Sequence, residues 1–142
     1  MKRLFEQIYV AGQLGPEDFA KAAAAGIKTI INNRPDGEEP GQLDHQQAEQ
    51  LAADAEISYH YLPMENGKPL PPTLVEDFKA VLDNTNEPVL AHCRSGMRSS
   101  FIWALGQIGA GEITPDEAIN AATNAGIPLN NARAVLESVA AS

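Results

Sequence analysis

The chain has a single cysteine, Cys93, in 142 residues. One thiol excludes an internal disulfide and leaves no cysteine cluster for zinc. Basic residues are also scarce: ten Lys and Arg stand against nineteen Asp and Glu, a formal net charge of −9. That balance argues against a partner bound through a phosphate backbone, so no nucleic acid is expected. No run approaches the roughly 18 apolar residues of a membrane span. The opening MKRLFEQIYVAG carries Lys2 and Arg3, but Glu6 and Gln7 interrupt any apolar segment, so it does not read as a signal peptide. There is no internal repeat and no low-complexity tract. These absences lead to the expectation of a cytoplasmic protein without metal or cofactor. Residues 1–142 are expected to form one domain, long enough to bury a core. Nothing in the sequence speaks to oligomeric state.

What is present centres on EPVLAHCRSGMRSSFIW, beginning at Glu87. Val89-Leu90-Ala91 is a short apolar run that reads as a buried strand, ending at His92 and Cys93. Arg94, Ser95, Gly96, Met97 and Arg98 form a tight polar turn. From Ser99 a second apolar run has helical character, to about Ile108. The lone cysteine therefore sits at the tip of a strand, just before a helix. The first amides of a helix have no intrahelical acceptors and, with the helix dipole, favour an anion. A thiol there ionises more readily, and nearby arginines push the same way. The turn can supply a nucleophilic sulfur beside an anion cradle of backbone N–H groups. A buried structural cysteine is the alternative, but an apolar pocket has no use for Arg94, Ser95, Gly96 and Arg98 around it.

The remaining chain alternates strands and helices. Gln7–Ala11 reads as a strand, Pro16–Ala25 as a helix closed by Gly26, and Ile27–Asn33 as the next strand. Arg34–Gln42, RPDGEEPGQ, has the Pro, Gly and acidic composition of a loop. Leu43–Ala55 is a helix on which His45 reads as a surface residue. Ile57–Leu62 alternates as a strand, and Pro63–Pro72 is a second loop rich in turn residues. Thr73 and Glu76 suggest a capping box for the helix Leu74–Leu82, and Thr114 and Glu117 another, with Pro115 at the first helical position. Asn130 or Asn131 is expected to cap a last helix running to about Ala140. The total is about four strands and about six helices, in an α/β order.

HCRSGMRSS resembles the active-site loop shared by cysteine-dependent phosphatases and rhodanese-type sulfurtransferases. Four residues separate Cys93 from Arg98. That is the shorter, rhodanese-like spacing; tyrosine and dual-specificity phosphatases have five. Taken with YVAGQLGPEDF, the strand running into NRPDGEEPGQ, and YHYLPM, the chain resembles a bacterial phosphatase-like family. That family is related to the phosphatase-like part of beta-lactamase-hydrolase-like proteins. The resemblance implies an α/β, cysteine-dependent phosphatase-like three-layer fold. Its central, mostly parallel sheet has four to five strands, flanked by helices, with the Cys93 strand in the middle.

It also implies roles. In a phosphatase, Cys93 attacks the phosphorus of a phosphate monoester, Arg98 and the loop 94–98 hold the equatorial oxygens, and Ser99 assists departure of the thiolate. A general acid must protonate the leaving oxygen. Where dual-specificity phosphatases carry an Asp, this chain offers Glu65, and Asp36 is the other candidate. In a sulfurtransferase, Cys93 instead carries a persulfide from a sulfane-sulfur donor and needs no such acid. A non-catalytic domain that binds an anion or a partner chain is the third class. If the strands are parallel, the loops bearing Arg34, Asp36 and Glu65 share one rim with Cys93. Arg34 is then a further anion-binding candidate. The partner expected in either enzymatic case is a small anionic substrate.

Overall fold

The computed structural model describes residues 1–142. Five strands form one sheet: β1 (Lys2–Phe5), β2 (Ile8–Ala11), β3 (Thr29–Asn32), β4 (Ser58–Tyr61) and β5 (Val89–His92). Six α-helices accompany them: α1 (Asp18–Ala24), α2 (His45–Asp54), α3 (Leu74–Asp83), α4 (Met97–Gly109), α5 (Pro115–Asn124) and α6 (Arg133–Ala140). A 3-10 turn, Leu129–Ala132, precedes the last helix. The strand order is β1-β2-β5-β3-β4. Only β1 runs antiparallel; β2, β5, β3 and β4 are mutually parallel. The Cys93 strand is thus the third of five.

Alternation along the strands sorts side chains into two cores. Ile30 and Leu90 face α1 and α2, where they meet Phe19, Ala22, Ala48 and Ala52. Ile8, Val10, Ile31, Val89 and Ala91 face the other way, against α3 to α6. The sheet is therefore a middle layer, with two helices on one face and four on the other. Helix α4 is buried nearly all round because it lies between the sheet and the outer helices; Ile102, Trp103 and Ala104 are almost fully enclosed. Each fully buried Ile or Trp contributes on the order of 1.5–3 kcal/mol, so the helix that presents the Cys93 loop is firmly anchored.

The departures from the sequence reading are local. Strand β1 was not legible because it is an edge strand with solvent-facing Lys2 and Arg3 and one buried residue, Leu4. Thr73 does not cap α3; its backbone is not extended and its hydroxyl donates to the Asp77 carboxylate instead. Neither Asn130 nor Asn131 caps α6, because both lie inside the 3-10 turn and Ala132 takes the cap position. The Thr114–Glu117 capping box is present, with each residue bonding the other's backbone N–H. No helix is long and apolar enough to cross a membrane.

Candidate active site

Strand β5 ends at His92, and the chain turns through Cys93–Gly96 into α4. Gly96 has φ +93°, and a Cβ there would stand 3.2 Å from the Ile127 side chain. A side chain would thus be strained twice over. Gly12, at the end of the adjacent β2, passes so close that a Cβ would lie 2.8 Å from the Arg94 carbonyl oxygen. Two glycines let the turn curl tightly around the sulfur.

The Cys93 thiol is 1% exposed. The Gly96 N–H donates to Sγ at 3.1 Å. Burial pushes this thiol up, but backbone N–H groups of Ser99, Ser95, Gly96 and Arg98 pull it down further, and the net result lies below the ordinary thiol value. A converging ring of amides stabilises the thiolate in the way expected for an anion at a helix start. Arg98 is also close enough for its charge to interact with the sulfur. Arg94 and Ser95 are exposed at the lip, Met97 is half-buried, and Arg98 is buried.

Arg98 is held from behind. Its Nη2 and Nη1 donate to the two carboxylate oxygens of Glu38, at 2.8 and 2.9 Å, and Nη1 also donates to the Met64 carbonyl at 2.8 Å. The fork recognises one carboxylate through two parallel bonds. Arg34 completes the arrangement: its Nε donates to Glu38 Oε1 at 2.8 Å and its Nη1 to Gln13 Oε1 at 3.1 Å. Glu38 thus serves two guanidiniums, and Arg98 foremost holds its carboxyl down at about 2. Sequence reasoning missed Glu38. The loop composition marked a cluster of acids without saying which one turns inward.

The sequence-predicted rim residues are placed as follows. Arg34 is fully buried, with Nη2 lacking any partner. Asp36 is exposed, and both its carboxylate oxygens go to His45: one accepts from the His45 backbone N–H at 2.9 Å, the other pairs with Nδ1. The His45 ring stacks on Tyr61 at 4.0 Å, and the Tyr61 hydroxyl accepts from the Asp36 N–H. His45 is therefore a loop-fastening residue rather than a loose surface group. Glu65 is exposed, paired with Lys68 at 2.8 Å, and directly follows Met64, whose carbonyl touches Arg98. The Ser99 hydroxyl donates to Asn33 Oδ1 at 2.8 Å, while its backbone N–H faces the sulfur. Asn33 also donates to the Leu62 carbonyl, so it ties β3, the loop after β4 and α4 together. No group of three or more His, Cys, Asp or Glu side chains is placed to hold a metal.

His92, immediately before the nucleophile candidate, is 1% exposed and neither ring nitrogen has a hydrogen-bond partner. Burial foremost, with Arg34 adding to it and the Cys93 backbone opposing, lowers its value from 6.5 to about 4. The unfolded chain therefore takes up a proton near pH 6.5 that the folded chain refuses until about pH 4, so stability falls as pH falls through that window. Between pH 7.5 and 5 the expected loss is about 2 kcal/mol. Urea unfolding of wild type and His92→Gln at both pH values measures it. Equal pH dependence in the two proteins would show that His92 is not the group responsible.

Comparison with known proteins bears on the family and the fold. The profile of the family described as beta-lactamase hydrolase-like protein, phosphatase-like domain, matches residues 1–110. A beta-lactamase hydrolase-like protein of Agrobacterium fabrum is 36% identical over 111 residues, covering 78% of this chain. The match spans about a quarter (26%) of that relative's own length. Among solved structures, one described as a putative phosphatase from Neisseria meningitidis is 36% identical, with a TM-score of 0.86, over 97% of this chain and 96% of the other. A kinase associated phosphatase, 18% identical with a TM-score of 0.70 over 95% and 88% of the two chains, shares the fold. These likenesses lend no support to sulfur transfer. The chain belongs to the family of beta-lactamase hydrolase-like phosphatase-like domains.

Proposed function

We propose that the chain is a cysteine-dependent phosphatase that hydrolyses a phosphate monoester through a cysteinyl-phosphate intermediate. The observation that carries this is the buried Cys93 thiol, lowered by four loop amides that converge on it with Arg98 alongside. The Cys93 thiolate attacks phosphorus and the bond to the ester oxygen breaks. Loop amides and Arg98 Nε hold the equatorial oxygens as charge spreads over them. Glu65 delivers a proton to the departing oxygen. Water then attacks the phosphocysteine, Glu65 takes its proton, and the sulfur leaves as thiolate with inorganic phosphate as product. Ser99 assists that departure through its backbone N–H, since its hydroxyl is held by Asn33.

Glu65 is preferred to Asp36 as the acid because of what each already touches. Asp36 has both oxygens on His45. Glu65 has only an exposed lysine partner and sits one residue from a direct Arg98 contact. Glu65→Gln is expected to slow phenyl phosphate about a hundredfold and p-nitrophenyl phosphate less than threefold, because nitrophenolate hardly needs the proton. Asp36→Asn should show no such dependence; if it alone does, the acid is Asp36. The same assays, run beside thiosulfate and glutathione persulfide with intact-mass detection, test the reaction class. Phosphatase chemistry predicts an adduct of phosphoryl mass on Cys93. The four-residue spacing between Cys93 and Arg98 favours sulfur transfer as second reading, and it predicts an added sulfur. Neither adduct nor turnover would leave an anion-binding domain.

A further inference from the structure

Met97 and Arg98 close the turn around Cys93 and also line a separate cavity of about 230 Å3. It lies between the first turns of α4, the loop after β4 and the Leu129–Ala132 turn. Its walls include Met64, Phe101, Leu129 and Ala132, and Arg98 is its only charged lining residue. A hollow of about 300 Å3 at the opposite, N-terminal ends of the strands has a different chemistry: Glu6, Asp83, Glu87 and Glu112 border it. The apolar cavity therefore adjoins the candidate cradle through the same arginine that faces the sulfur.

Resting on the phosphatase reading, we propose that this cavity receives the organic part of the substrate. The substrate it fits is a phosphate monoester of a compact, apolar alcohol, a single ring or a short branched chain without a second charge. Size sets the first limit. Pockets for drug-sized ligands run from about 300 to 1,000 Å3, so this one suits a smaller group. Wall chemistry sets the second: an apolar body gains by leaving water against Met64, Phe101 and Leu129, and the thioethers of Met64 and Met97 adapt to its outline. Charge sets the third. A second anionic group would find no cation besides Arg98 in the cavity, and meets a chain of net charge −9.

The test compares methylphosphonate with phenylphosphonate, two non-hydrolysable anions that differ only in the organic group, by calorimetry on the full chain. The phenyl compound is expected to bind at least about tenfold more tightly. Ala132→Phe, which fills the cavity away from the cradle, should bring the two affinities within about twofold of each other while methylphosphonate binds as before. Ala132→Leu serves if the larger side chain prevents folding. Equal affinities for wild type, or a phenyl preference that survives both substitutions, would overturn the cavity assignment and leave the phosphate site standing. Failure of wild type to bind either phosphonate would overturn the phosphate reading, and this proposal with it.

Discussion

Cys93→Ser is expected to lower turnover of p-nitrophenyl phosphate by about a thousandfold or more while the protein stays folded. The effect follows from ionisation. The backbone amides lower the thiol below its ordinary value, so more of it ionises than of a free cysteine; a serine hydroxyl at the same place keeps its proton and is a far weaker nucleophile. The amides that now face sulfur can still donate to an oxygen, so the exchange leaves no buried donor stranded. Wild-type and variant unfolding curves should therefore nearly coincide. Alkylation by iodoacetate gives an independent reading: the wild-type rate against pH should have its midpoint below the ~8.5 of a free thiol. Activity within tenfold of wild type in the serine variant would place the chemistry at another residue.

The nucleophile could be read from the sequence because its signal is contiguous. An apolar strand, a polar turn with glycine and two arginines, and an apolar helix lie within sixteen residues, and that order alone fixes Cys93 at a helix start. The rim loops were also legible as loops, since strands joined by helices run parallel and bring those connections to one edge. Direction within a loop was not legible. Asp36, Glu38 and Glu39 differ little in local pattern. Which of them turns inward depends on Arg98, sixty residues away, and on Arg34, itself read as a rim cation but enclosed by Gln13 and Glu38. Position His45 shows the same limit: no helical spacing reveals that its ring would stack on Tyr61 and claim the Asp36 carboxylate. Strand β1 escaped notice because backbone pairing to β2, and one leucine, hold it where side-chain alternation carries no message.

Glu38→Gln should lower turnover about a hundredfold whatever the leaving group. The carboxylate is the shared counter-charge of Arg34, whose side chain is 1% exposed, and Arg98, 7% exposed. An amide of the same shape cannot accept from both guanidiniums on both oxygens; Arg34 keeps its pair with Glu39 at 3.2 Å, but Arg98 loses its carboxylate partner. Arg98 loses the fork that aims it, and a misplacement of about 1 Å is enough for a hundredfold effect. The cost in stability is smaller. Glu38 keeps contact with water, its side chain 23% exposed, so the figure lies below the 3–5 kcal/mol of a broken buried pair, at roughly 1–2 kcal/mol. A positioning role also makes a prediction that a merely structural one does not. Vanadate or phosphate bound in the cradle supplies a negative charge beside Arg98, so a saturating anion should raise the unfolding temperature of Glu38→Gln more than that of wild type. Glu38→Asp, which keeps the charge but shortens the reach, should recover stability more fully than turnover. If Glu38→Gln turns over at the wild-type rate, or the anion stabilises both proteins equally, Glu38 does not aim Arg98 and its three bonds serve only to fasten the loop.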